Sequence, residues 1–190
     1  MEQDGKFLAA KKLAASFAYV GLCGGDQVHL FAFGDTLRAQ KWNLAQKGRF
    51  LETVDFLDKL EAVGGTAPLS SMGCGPLRRG VAVVISDFMT DHGIEDTVKL
   101  LQQKKQEVLL VQVLSKEEEE PKVGGAVRLV DAETGESRDL ELNEAMAAAY
   151  KKALMNSERL SENFGSRRDA VFAHVREDED LLRVLYEMMR

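Results

Sequence analysis

The chain has 190 residues, 45% of them apolar, a size and composition suited to one domain or one domain with an appendage. Its 25 basic and 31 acidic side chains leave a formal charge of −6. That balance argues against an electrostatic nucleic-acid binder and against a polybasic membrane-surface module. With 29% charged residues beside so many apolar ones, the composition argues against wholesale disorder as well.

No uninterrupted apolar stretch reads as a bilayer span, and the start, MEQDGKFLAAKK, has no apolar signal core after its charges. The expectation is a soluble, cytosolic chain. Cys23 and Cys74 lie in no CxxC and have no histidine at ligand spacing, so both read as small buried thiols.

In chain order, residues 6–22 place Phe7, Leu8, Leu13, Phe17 and Val20 near helical spacing and predict an amphipathic helix, which Gly24-Gly25 ends. QVHLFAF (27–33) reads as a strand with at least one buried face, and LRAQKWN (37–43) as a short edge strand with Arg38 and Lys41 outward. Phe50, Leu51, Val54, Phe56, Leu57 and Leu60 predict a second helix that stops at Gly64-Gly65. TAPLSSMGCGPL is too rich in Gly and Pro for a long helix and leaves room for one short helix around 67–72. VAVVISDF (81–88) is a continuous β-branched run, expected to be buried on both faces. A turn at Thr90-Asp91 and Gly93 leads into a helix over 94–105 with a basic last turn, and EVLLVQVL (107–114) repeats the buried-strand pattern.

Alternation of helices with near-continuous apolar strands predicts an α/β three-layer domain with a mostly parallel sheet and helices on both faces. KEEEEPK (116–122) reads as a charged loop, because like charges repel and stay solvated. AVRLVD and SRDLEL flank a turn at Glu133-Thr134-Gly135 and predict a β-hairpin. Helices are expected over 143–163, with Asn143 as N-cap, over 167–176 and over 178–189. The whole, residues 1–190, reads as one domain: a core over about 5–115, then a hairpin and helical extension over about 122–190.

In open α/β sheets, ligands sit at the carboxyl ends of the strands. The candidates there are Gly34-Asp35, Ser86-Asp87 and the Gly64-Gly65-Thr66 loop. Asp87 reads equally as a metal or general-base carboxylate and as a turn or cap residue. Thr66 could offer its hydroxyl to a cation or phosphate, though a helix cap explains it more simply. Neither GxxxxGK[ST] nor GxGxxG occurs, so the phosphate cradle of classical nucleotide binding is lacking. His29 falls in a strand, His92 in a turn beside Asp91 and His174 in a C-terminal helix; with no GxSxG elbow, a Ser-His-Asp hydrolase is poorly supported.

Taken together, GKFLAAKKLAASFAYVGLCGGDQVHLFAFGD, LDKLEAVGGT, RRGVAVVISDFM, EVLLVQVLSKEEEEP and VRLVDAETGE resemble, in order, the von Willebrand factor A-like domain of the DUF58 family. The resemblance covers about residues 5–140. It implies a Rossmann-like sheet with a metal-ion-dependent adhesion site, in which a DxSxS motif, a loop threonine and a strand-end aspartate hold Mg²⁺, directly or through water. Such oxygen ligands suit that ion. Thr66 matches the threonine and Asp87 the aspartate, whereas the DxSxS element has no counterpart. It belongs on a strand before the first helix, and Met1 lies only a few residues ahead of that helix.

The resemblance thus implies an incomplete metal site: Mg²⁺ belongs to the full-length family domain, and tight binding by this chain is not expected. The absent strand would normally stand between the strands at 27–33 and 81–88, which would otherwise keep unpaired backbone groups. Those two strands pair with each other, or another chain supplies a strand by exchange or in a dimer, or the chain is a fragment of a longer protein; the last is favoured. The implied function is a non-enzymatic protein-interaction module working with a MoxR-type AAA+ ATPase in assembly or chaperone-like roles. The alternatives are a degenerate structural domain that binds partners without metal, and a metal-dependent hydrolase using Asp87 and Asp35.

Overall fold

A computed structural model describes residues 4–34, 36–62, 77–88, 94–119, 126–130, 137–141 and 170–188. Helix α1 (Asp4–Gly24) opens the chain. It ends as its glycines predict. The Asp26 amide donates to Gly21 O at 2.9 Å and the Gly25 amide to Leu22 O at 3.3 Å, while Gly25 takes φ +84. This pair of bonds closes a helix around a left-handed residue, a conformation glycine adopts without the steric penalty a Cβ brings.

Strands β1 (Gln27–Phe33) and β2 (Leu37–Ala45) then pair antiparallel as a separate two-stranded sheet. Arg38 is exposed as expected, and Leu44 is fully buried. A 3-10 turn (Lys47–Arg49) leads into α2 (Phe50–Asp58), whose Phe50 ring meets Tyr19 of α1 edge-on at 5.0 Å. Glu52 ties α2 back to its surroundings through Lys41 at 2.8 Å and Arg49 at 2.7 Å.

The second sheet is parallel, in the order β3 (Gly80–Ser86), β4 (Gln106–Leu114), β7 (Ala170–Arg176), with α3 (Ile94–Gln103) crossing from β3 to β4. β4 is the central strand, and Leu110, Val111, Val113 and Leu114 are fully buried. Alternation sorts its side chains to two cores. Val111 and Val113 pack with Ala9 and Leu13 of α1 and with Val175, against which Val184 of α5 (Leu181–Met188) also rests. Val108 and Leu110 pack with Val98 and Leu101 of α3 and with Ala170. Helices therefore cover both faces of this sheet. Burying each such Val or Leu contributes about 1.5–3 kcal/mol, so β4 anchors the chain.

Several expectations are corrected. Residues 170–176 form a strand, not a helix, and join the central sheet from far beyond residue 115. The segment AVFAHVR carries apolar residues that fit either period, and pairing with β4 supplies backbone partners that decide for the strand. β3 is half-buried rather than buried on both faces, with Val81 65% exposed, because among the described residues it is hydrogen-bonded only to β4. The charged run at 116–119 forms a helical turn, α4 (Lys116–Glu119). Lys104 and Lys105 lie just past the end of α3 instead of in its last turn. Cys23 is exposed, and α1 is less amphipathic than its spacing suggests, since Leu8, Tyr19 and Val20 face outward. By length and composition, Gly5–Gly24 is apolar enough to cross a membrane, contrary to the sequence expectation; here Ala9 and Leu13 of the same helix lie against the sheet.

β5 (Ala126–Val130) and β6 (Ser137–Glu141) form the expected hairpin, with Val130 opposite Ser137. Thr66, Asp35, His92, Cys74, the 67–72 segment and the helix expected over 143–163 lie outside the described residues. β1 and β3, the strands expected to flank an absent one, belong to different sheets and do not pair with each other.

Candidate functional site

The carboxyl ends of β3, β4 and β7 bring together the polar side chains best placed for function. Asp87 follows directly on β3, as the sequence predicts. Its backbone is held first: the Gln112 side chain of β4 donates from Nε2 to Asp87 O at 3.0 Å. The next residue, Phe88, has φ 54, a region costly for a bulky side chain. Two contacts hold it there. Its amide donates to Ser86 Oγ at 3.1 Å, and its ring packs into the core on the α3 side.

The Asp87 carboxylate faces α1. Lys6 Nζ lies 3.4 Å from Asp87 Oδ2 and 2.5 Å from Glu118 Oε1. The Lys6 side chain is only 5% exposed, against 13% for Asp87 and 20% for Glu118. A buried ammonium carries a large desolvation cost unless paired, and two carboxylates offset it here. Glu118 is placed by its own turn. Its Oε2 accepts from the Ser115 amide at 2.8 Å, and its amide donates to Ser115 Oγ at 3.2 Å. This reciprocal capping box fixes the carboxylate at the mouth of β4. Arg176, the last residue of β7, reaches Glu119 at 3.5 Å and pairs closely with Asp178.

On the α3-facing side, Ser86, Gln112 and His174 sit opposite one another in register across the three strands. Among the described residues, Gln112 Oε1 and His174 Nε2 are buried without hydrogen-bond partners. His29 lies in β1, as predicted. Its Nδ1 accepts from the Asn43 amide at 3.1 Å, its ring lies 4.8 Å from Trp42, and burial pushes its pKa down. It thus belongs to the β1–β2 sheet, not to the sheet that carries Asp87.

The site thus joins Asp87 to Lys6, Glu118, Ser115 and Gln112, none of which the sequence reading singled out. The S-x-x-E spacing at 115–118 is a local signal for the capping box. Lys6 has no such signal, since its partners are 81 and 112 residues away. Asp87 Oδ2, the carboxylate oxygen that would face a cation, is engaged by the Lys6 ammonium. Among the described residues no three His, Cys, Asp or Glu side chains converge as metal ligands.

These features define a mixed α/β protein built on a three-stranded parallel sheet, with an ion cluster at the sheet's carboxyl end. Residues 2–160 match the family described as "Protein of unknown function DUF58", and the chain belongs to that family. Among solved structures, it is similar to the conserved hypothetical protein BatB from Bacteroides thetaiotaomicron, at 16% identity and a TM-score of 0.50, covering 96% of this chain and 86% of that one. It is also similar to an aerotolerance-related membrane protein from Bacteroides fragilis, at 17% identity and a TM-score of 0.50, covering 96% and 88%. At such identities the likeness is one of fold. No curated protein matches the chain. Nothing here supports the cytosolic placement expected from the sequence; the Bacteroides fragilis neighbour is described as a membrane protein.

Proposed function

We propose that this chain is a non-enzymatic, von Willebrand factor A-like interaction module that works with a MoxR-type AAA+ ATPase in assembly or chaperone-like roles. Membership of DUF58 supports the reading. The observation that carries it is the state of the strand-end aspartate. Where an open α/β enzyme would present reactive groups, Asp87 is tied by Lys6 and Gln112 into a structural cluster. The complete domain has one more strand, between β1 and β3. In support, each of these strands pairs on one side only among the described residues, and α1 packs on both sheets. A membrane-associated setting suits this module better than the cytosol, in line with the Bacteroides fragilis neighbour.

Calorimetric titration of the chain with a purified MoxR-type ATPase tests the proposal. Saturable binding is expected, and no heat at high micromolar concentrations of both proteins overturns it. The pairing of Asp87 with Lys6 favours a second reading, a domain that binds its partner without metal. Under it, the measured affinity is the same with Mg²⁺ and with a chelator. Turnover of generic phosphate or ester substrates, lost in Asp87→Ala, would replace both with a hydrolase.

A further inference from the structure

We infer that the Lys6 ammonium is the resident cation of the Asp87–Glu118 site, and that it keeps divalent metal away from the strand-end aspartate. Two carboxylate oxygens from separate elements, Asp87 Oδ2 after β3 and Glu118 Oε1 on α4, converge on one point. That is how a protein builds a cation site. The point is filled by Nζ of a lysine whose side chain is 95% buried, delivered by the first turn of α1.

Neighbouring groups position both residues. Glu118 is fixed by Ser115, and Asp87 is anchored through its backbone by Gln112. A divalent ion entering here would meet a like charge within contact distance, and ejecting Lys6 would leave that charge to be resolvated. The ammonium also links α1 to the ends of β3 and β4, so the site's cation is part of the fold. This goes beyond the partner reading and does not rest on it: a chain that binds no ATPase can still hold Lys6 at this point.

The probe is Mn²⁺ added to the full chain and followed through the electron paramagnetic resonance signal of the free ion. Wild type and Asp87→Asn are expected to leave the same free signal at millimolar metal. Lys6→Met is expected to tighten Mn²⁺ binding about tenfold or more, because it leaves two converged carboxylates without their ammonium. Asp87→Asn in the Lys6→Met background should abolish that gain. Lys6→Arg, which keeps the charge, should remain silent. Saturable Mn²⁺ binding by wild type that Asp87→Asn removes overturns the inference, and so does a folded Lys6→Met chain that stays silent. If Lys6→Met does not fold, the comparison of wild type with Asp87→Asn decides alone.

Discussion

Ser115 and Glu118 satisfy each other's backbone: the Ser115 amide donates to the Glu118 carboxylate at 2.8 Å, and the Glu118 amide to the Ser115 hydroxyl at 3.2 Å. Ser115 is fully buried at the end of β4, so its hydroxyl has no access to water in place of that bond. Ser115→Ala is expected to cost about 1 kcal/mol, the usual loss for an N-cap. Chemical denaturation should show this as a lower midpoint with an unchanged slope.

Glu118→Gln should be the more damaging change at the same turn. It keeps the shape of the cap but removes one of the two carboxylates that neutralise Lys6. Leaving a buried charge under-compensated costs more than losing one neutral hydrogen bond. The midpoint for Glu118→Gln should therefore fall below that for Ser115→Ala. The reverse order would mean that the Lys6 pairing contributes little.

Leu110 is fully buried between α3 and the sheet, whereas Leu51 on α2 is 71% exposed. Leu110→Ala should destabilise the chain by about 2–5 kcal/mol through lost burial and the cavity left behind. Leu51→Ala should stay within about 0.5 kcal/mol. Both are read from the same denaturation curves.

Gly25 stands at φ +84, and a Cβ there would meet nothing within 4 Å. The cost of Gly25→Ala is therefore backbone strain alone, about 1–2 kcal/mol. Gly25→Asn should recover part of it, since Asn tolerates this region. Thermal melts of the two variants give the comparison.

Hydrogen bonds from Arg49 and then Lys41 hold the Glu52 carboxyl down to about 2. An unfolded Glu titrates near about 4.3. Because the folded value is the lower one, the stabilisation is present above the unfolded value and is lost as the pH falls from about 4.3 to about 2. A carbon-detected NMR titration should place the Glu52 midpoint near the lower limit. Glu52→Gln should flatten the stability profile over that interval, and about 1 M salt should shrink the difference, because the group is solvent-accessible.

The local pattern was enough for several elements. EVLLVQVL is apolar on both faces and became the central strand β4. Gly24-Gly25 ended α1 in the left-handed turn that glycine permits. Asp87 was legible at a strand end because a β-branched run stopped there. Its role was not legible, since a strand-end aspartate suits a metal, a base, a cap or an ion pair equally.

The sequence by itself determined the periodic elements and the residues that punctuate them, because both are set by interactions within a few residues along the chain. Only the tertiary structure decided that AVFAHVR is a strand, that β3 pairs on one side only among the described residues, and that Asp87 faces Lys6. Each of these depends on partners far away in sequence. Backbone groups must find partners once buried, and a buried charge must find its counter-charge. Spacing along the chain does not encode which distant residue will supply them.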